Sequence, residues 1–256
     1  MIHSTAIVHP NAQIGRDVEI GPYCIVGANV AIGARSVLLA HVVVNGHTTI
    51  GEDVHIHPFA TVGTPSQDRK AISGEVAYTE IGDRTVLREY VSIQRGTGEG
   101  SVTRIGSDSL LLAYVHIAHN CVVGSHVTMS NLAQLAGHVT VEDYATIGGE
   151  AGVHQFVRVG RYAFVGGMTR LVRDAPPYFL VEGNPAKVYG LNTVGLRRAN
   201  FDEETLADLK ACYKVLYRSG RNVSQAVEVL REQVASDAGR ELLAFIETAS
   251  ERGIQR

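Results

Sequence analysis

Tryptophan is absent from this chain, and Phe and Tyr together make up only 6% of it. A core built from it must be aliphatic. The three cysteines, Cys24, Cys121 and Cys212, are far apart, odd in number and outside any CxxC pair. That speaks against a disulfide framework or a cysteine zinc site, and for a reducing compartment. No apolar run approaches the roughly eighteen residues a membrane span needs, so stable insertion into a bilayer is not expected. The start, Met1-Ile2-His3-Ser4-Thr5, lacks a basic stretch followed by an apolar one, which argues against a signal peptide and for the cytoplasm. A net charge of −3 offers nucleic acid no basic surface, so no nucleic-acid partner is expected.

What the chain does have is a repeat. Steps of six from Ile2 land on Val8, Ile14, Ile20, Val26, Ile32, Leu38, Val44, Ile50, Ile56 and Val62. The register breaks, resumes over Ile81, Leu87 and Ile93, and breaks again. From Ile105 it runs through Leu111, Ile117, Val123, Met129 and Leu135 to Leu171. Glycine often follows this lead residue, as at Gly15, Gly33, Gly106 and Gly160, where a corner with unusual φ/ψ is expected. The fifth position is small or β-branched, as at Cys24, Ser36, Val54, Val115 and Ala133. Two inward residues separated by a turn describe a short strand plus a corner. Three hexads then close one triangular coil, and stacked coils pair as parallel strands about 4.8 Å apart. A period of six cannot keep to one face of a 3.6-residue helix. The expected fold is therefore mainly β, a parallel β-helix, whose hand the pattern leaves open.

The breaks, residues 64–80 and 96–104, read as loops expelled from the stack, where function concentrates. The repeat ends near Tyr178, which places a β-helix domain at 1–178 and a helical domain at 179–256. Asp202 is expected to cap a helix over 203–217 that ends at Gly220. Ser224 is expected to cap one over 225–235, and a third spans roughly 239–250. Such a tail can cover an open end of the stack.

Among eleven histidines, His3, His9, His47, His55, His57 and His126 join no cluster. His116 and His119 bracket one coil corner. One coil on from 119 stand Gly137 and His138, and one further His154 and Gln155. This polar column is either a solvated ladder or a site. A Gly beside a His can present its backbone N–H to an oxyanion.

Several runs then match one family. His116-Ile-Ala-His119-Asn-Cys, Leu135-Ala-Gly-His138-Val and Val153-His154-Gln155-Phe156 resemble the bacterial UDP-N-acetylglucosamine O-acyltransferases. So do Gly183-Asn-Pro-Ala186, Gly195-Leu-Arg-Arg198, Tyr213-Lys-Val-Leu-Tyr217-Arg-Ser-Gly220 and Arg252-Gly-Ile254. The likeness spans nearly the whole chain. It implies a left-handed β-helix and a homotrimer with sites between neighbouring prisms. The implied reaction moves a (3R)-3-hydroxyacyl chain from acyl carrier protein to the 3-position of UDP-N-acetylglucosamine, the first step of lipid A biosynthesis. It needs no metal or organic cofactor. By the same likeness His119 is the general base, suited by a pKa near working pH. The Gly137 N–H stabilises the oxyanion, by typically about 3 kcal/mol for one such donor. Asp68 and Lys70 contact the sugar nucleotide, and His116, His138, His154 and Gln155 line the site. Asn192 and Arg198 belong to the nucleotide end. Gly167 limits the depth of the acyl groove, leaving room for a longer chain. Arg197, Arg198, Lys210, Lys214 and Arg218 form either a dock for the acidic carrier protein or a solvated helix face.

Three positions depart from the family pattern. Asn120 replaces the common Asp beside the base, Gln94 a His, and Val194 a Glu. With Asn120 neutral, an acceptor bearing a 3-amino group stays open beside the 3-hydroxyl. Rival readings are another hexapeptide transferase using coenzyme A, a zinc carbonic anhydrase needing three converging histidines, and a non-catalytic scaffold.

Overall fold

A computed structural model describes residues 1–69, 71–72, 74–248 and 250–256. Lys70, one of the expected site residues, lies outside them. β1 (Ile7–Val8), β2 (Gln13–Ile14) and β3 (Glu19–Ile20) follow one another around the three walls of a prism. β4 (Ile25–Val26) then lies parallel on β1, with Ile7 opposite Ile25, and the cycle repeats every eighteen residues. The outcome is a left-handed parallel β-helix with walls of nine, eight and ten strands.

Lead residues fill the prism. Ile20, Leu38, Ile56, Leu87, Leu111 and Met129 line one wall, and none is more than 2% exposed. The fifth position also points inward, and its polar members are small enough to bond across coils. Ser36 Oγ donates to Gly51 O (2.9 Å) and accepts from Val54 N–H (3.0 Å). Ser109 Oγ does the same with Gly124 O and Val127 N–H. Buried hydroxyls thus reinforce the ladder rather than weaken the core.

The corners differ from expectation. The glycine after the lead residue is not where φ turns positive. The left-handed residue comes two positions later and is rarely glycine: Arg35, Phe59, Tyr90, Asn120, His138 and Phe156 all have φ between 60° and 65°. The glycine answers to crowding instead. A β-carbon on Gly106 would stand 2.5 Å from Gly124 C and 2.6 Å from Gly124 O in the coil above. The left-handed residues point outward and stack coil upon coil. Tyr23, His41, Phe59, Tyr90 and Tyr114 form one such column, with rings 4.7–5.0 Å apart.

Both loops are present but shorter than expected. β11 (Tyr78–Ile81) and β14 (Val102–Ile105) pair from their first residues, so 78–80 and 102–104 belong to the wall. Among the described residues, the expelled segments are 65–69, 71–72 and 74–77 in the first loop and 95–101 in the second. At the other end, β26 (Phe179–Gly183) and β27 (Ala186–Leu191) prolong the ten-stranded wall beyond residue 178 as an antiparallel pair. A short helix α1 (Thr193–Arg198), not anticipated, follows it. α2 (Glu203–Tyr217) is capped by Asp202 as expected. α3 (Val223–Gln233) is capped by Asn222 instead of Ser224, through a reciprocal bond with Gln225. α4 (Asp237–Glu247) starts after Ser236. Arg158 ties α4 to the last coil: its guanidinium lies 4.2 Å from the Phe245 ring, and it pairs with the fully buried Asp174 at 2.8 Å. Asp174 in turn exchanges backbone bonds with Gly253 and Gln255, so the C-terminus closes the stack. No described helix is long and apolar enough to cross a membrane.

Candidate active site

The column read from the sequence forms at the corner that follows the nine-stranded wall. His116 and Ile117 make strand β16, and His119 and Asn120 turn the corner after it. Asn tolerates the left-handed φ of 60° that this position demands. One coil up, Gly137 lies against the His119 ring. A β-carbon there would sit 2.6 Å from His119 Cε1 and Nε2. His138 is edge-on to His119, with centroids 5.2 Å apart, and stacks on Phe156 at 4.7 Å.

The proton on His119 can be placed from its neighbours. Asn120 Oδ1 accepts from Thr97 N–H (2.9 Å), and Asn120 Nδ2 donates to Thr97 O (3.3 Å). Those two bonds fix which end of the amide is oxygen. That oxygen lies 2.7 Å from His119 Nδ1, so Nδ1 must carry the hydrogen. In the neutral ring Nε2 then carries the lone pair; it lies 3.6 Å from Asp68 Oδ2 on the first expelled loop. The His119 side chain is only 12% exposed.

Gly137 supplies the complementary group. At the corner after the eight-stranded wall the N–H groups of Glu52, Ser107 and Ser125 are taken up by Asp83, Ser125 and Asp143 from the next coil, whereas at the His119 corner those of His119, Gly137 and Gln155 have no such partner among the described residues. Above Gly137 the next coil presents Gln155, and among the described residues the Gly137 N–H makes no hydrogen bond. A base and an open donor therefore stand side by side, which is the pairing acyl transfer requires. Next in sequence, Cys121 is fully buried, and burial pushes its thiol up to about 12. It remains protonated and offers no nucleophile.

A shallow groove of about 340 Å³ runs along the same wall, lined by His116, Gln134, Gly152, His154 and Arg170. His116 Nδ1 meets Ser92 Oγ at 2.7 Å, and burial lowers its pKa. The pKa of exposed His138 is lowered too, chiefly by desolvation and then by His119. Hollows of about 560 Å³ lie elsewhere, one between α2 and α4 and one under α4. Neither includes this histidine group.

Comparison with known proteins agrees with this geometry. The family described as "Udp N-acetylglucosamine O-acyltransferase; Domain 2" matches residues 174–255, and the bacterial transferase hexapeptide family matches 1–34. The acyl-(acyl-carrier-protein)–UDP-N-acetylglucosamine O-acyltransferase of Syntrophobacter fumaroxidans is 49% identical over 257 residues, covering all of this chain and 99% of the relative. That of Thermodesulfovibrio yellowstonii is 46% identical with the same coverage. The chain belongs to this acyltransferase family. Solved members superpose closely. The Francisella novicida UDP-N-acetylglucosamine acyltransferase has a TM-score of 0.97 at 38% identity, covering all of this chain and 94% of that one. The LpxA of Acinetobacter baumannii has 0.96 at 41%, covering all of this chain and 99% of that one.

In this acyltransferase the other anticipated residues fall into two groups. His116, His119, Gly137, His138, His154 and Gln155 share one wall and its corner, and Asp68 reaches His119 from the first expelled loop. His154 and Gln155 are exposed, and Arg252 Nε donates to Gln155 O at 2.9 Å. Gly167 lies at the opposite edge of that wall, at the corner before strand β25 (Arg170–Leu171). Asn192 and Arg198 are not brought to His119 within the chain. Asn192 caps α1 and donates to Tyr162 O (3.0 Å), while Arg198 is exposed in the last turn of α1. Gln94 is buried, and its Oε1 accepts from Gln67 N–H at 3.3 Å. It acts as a clamp on the first loop. Val194 is 63% exposed. Sequence reasoning missed Thr97, which sets the Asn120 amide through its backbone; no side-chain pattern announces such a role. Among the described residues no group of three His, Cys, Asp or Glu is placed to hold a metal ion.

Proposed function

We propose that this chain transfers a (3R)-3-hydroxyacyl group from the thioester of acyl carrier protein to the 3-hydroxyl of UDP-N-acetylglucosamine, opening lipid A biosynthesis. One observation carries the reading. His119 Nδ1 lies 2.7 Å from the Asn120 amide oxygen, which favours the Nδ1–H tautomer, and the Nε2 side of the ring lies against Gly137. Nε2 takes the proton of the sugar hydroxyl as its oxygen bonds to the thioester carbonyl carbon. The carbonyl oxygen becomes an oxyanion and accepts from the Gly137 N–H. Collapse breaks the C–S bond, and the imidazolium returns its proton to the departing thiolate. Family names support the two substrates, since both matched relatives are named for them.

Asp68 and Lys70 receive the sugar nucleotide, and His116, His138, His154 and Gln155 line its path. The acyl chain follows the groove toward Gly167. In a homotrimer a neighbouring protomer supplies Asn192 and Arg198, where a guanidinium suits a diphosphate. Asn120 favours keeping one second reading in view. A neutral amide orients the ring but cannot stabilise imidazolium by charge, and a 3-amino acceptor makes less demand on the base.

The test is mass-spectrometric detection of product from 3-hydroxyacyl carrier protein, with UDP-N-acetylglucosamine and its 3-amino analogue in separate reactions. Ester product that disappears in His119→Ala supports the proposal. Product from the amino sugar alone makes this an N-acyltransferase. No product from either acceptor refutes both readings.

A further inference from the structure

Resting on the assignment of His119 as the base, we infer that Glu75 is a positioning residue. Together with Glu99 it straps the two expelled loops so that the Thr97–Gly98 peptide holds Asn120, and through Asn120 the proton of His119, in place.

The argument begins with one peptide unit. The Thr97 carbonyl and the Gly98 N–H share a planar trans peptide and point in opposite directions. On one side Asn120 Nδ2 donates to the carbonyl (3.3 Å). On the other the Gly98 N–H donates to Glu75 Oε2 (3.1 Å). A grip on the N–H therefore sets the direction of the carbonyl that orients Asn120. A carboxylate acceptor also polarises the peptide and strengthens the bond at its far end.

Packing does not hold the tip of this turn. Gly98 and Gly100 have φ of 96° and 71°, and a β-carbon on either would meet nothing within 4 Å. Its position depends on hydrogen bonds. Glu99 answers Glu75 by accepting from Val76 N–H (2.9 Å), and Gly100 N–H donates to Val76 O (2.8 Å). The first loop also carries Asp68, on the Nε2 side of His119. Strapped together, the loops address both nitrogens of one ring: Thr97 through Asn120 at Nδ1, Asp68 at Nε2. Glu75 is half-buried and Glu99 exposed, so Glu75 carries the larger share.

The test uses full-length protein labelled with 15N-histidine. Long-range 1H–15N spectra separate Nδ1–H from Nε2–H imidazoles, and His119→Gln identifies the resonance. Wild type is expected to show Nδ1–H at His119. Glu75→Ala is expected to mix the two tautomers and to lower kcat on the order of tenfold, with little change in KM for the sugar nucleotide. Glu75→Gln keeps an acceptor oxygen for Gly98 and is expected to recover the wild-type spectrum. If Glu75→Ala does not fold, Glu99→Ala is read in the same way. A wild-type spectrum in the alanine variant, or an equal loss of kcat in the Ala and Gln variants with the tautomer unchanged, overturns the inference. The spectra need no substrate. A wild type that shows Nδ1–H without turnover therefore fails the enzymatic reading and leaves the strap standing.

Discussion

Gly137 faces the His119 ring so closely that a single methyl group would displace it: a β-carbon would stand 2.6 Å from both Cε1 and Nε2. The residue thus does two things, leaving an N–H without a partner among the described residues and leaving space for the base. Gly137→Ala is expected to fold normally, because its φ lies outside the left-handed region and the ring can swing outward. Turnover should fall on the order of 100-fold, since base and donor no longer share one reacting centre. Steady-state kinetics beside a thermal melt check this. An alanine variant with wild-type kcat would show that His119 is not used in the position described.

Gly106 is a structural counterpart. Its β-carbon would meet backbone atoms of Gly124 and Ser125, which cannot rotate away. Gly106→Ala is expected to cost about 1–3 kcal/mol, the usual range for overpacking. Chemical denaturation gives the number, and no change in midpoint would contradict crowding as the reason for that glycine.

The burial of His116 gives a pH dependence. Its pKa falls below the ordinary 6.5, so the native state binds this proton less readily than the unfolded chain does. The stability tied to the neutral ring is complete above 6.5 and is lost as pH falls through the lower, folded value. Relative to His116→Gln, wild type should lose stability between pH 7 and pH 5, with a constant offset above pH 7. Parallel loss in both proteins would assign the effect elsewhere.

Lys210, Lys214, Arg198 and Arg218 are exposed on α1, α2 and the α2 cap. Arg197 is partly occupied by Glu203 at 3.3 Å. If this face docks the carrier protein, Lys210→Glu with Lys214→Glu should raise KM for the acyl carrier roughly tenfold and flatten its salt dependence, leaving KM for the sugar nucleotide unchanged. Equal KM values for the carrier in wild type and variant would return the patch to a solvated surface.

The prism was legible because a period of six admits few three-dimensional solutions, and inward Ile, Val, Leu and, at 129, Met mark its strands. The corner geometry was less legible. Glycine suggested a positive φ after the lead residue, yet Tyr90, Asn120 and Phe156 carry it two positions on, where ring stacking at Tyr90 and Phe156 and hydrogen bonds at Asn120 compensate the backbone. The His119–Gly137 juxtaposition followed from counting one coil. Thr97 did not, because a backbone contact from an irregular loop has no periodicity to betray it. Asn222 displaced Ser224 as a cap because either residue type can serve, and Gln225 lies at the right spacing for a reciprocal bond only with Asn222.

The eighteen-residue step that sets Ile7 over Ile25 also governs which changes of length the chain can absorb. Deleting one hexad between His119 and Gly137 would turn everything downstream by a third of a revolution, moving Gly137 to a different edge of the prism from His119. Length there is quantised in whole coils. At 65–77 and 95–101 it is not: Thr61 pairs with Ser92 across an insertion and the register survives. Descendants of this chain can therefore lengthen the loops over the reaction centre residue by residue, while the prism beneath can grow or shrink only by complete turns.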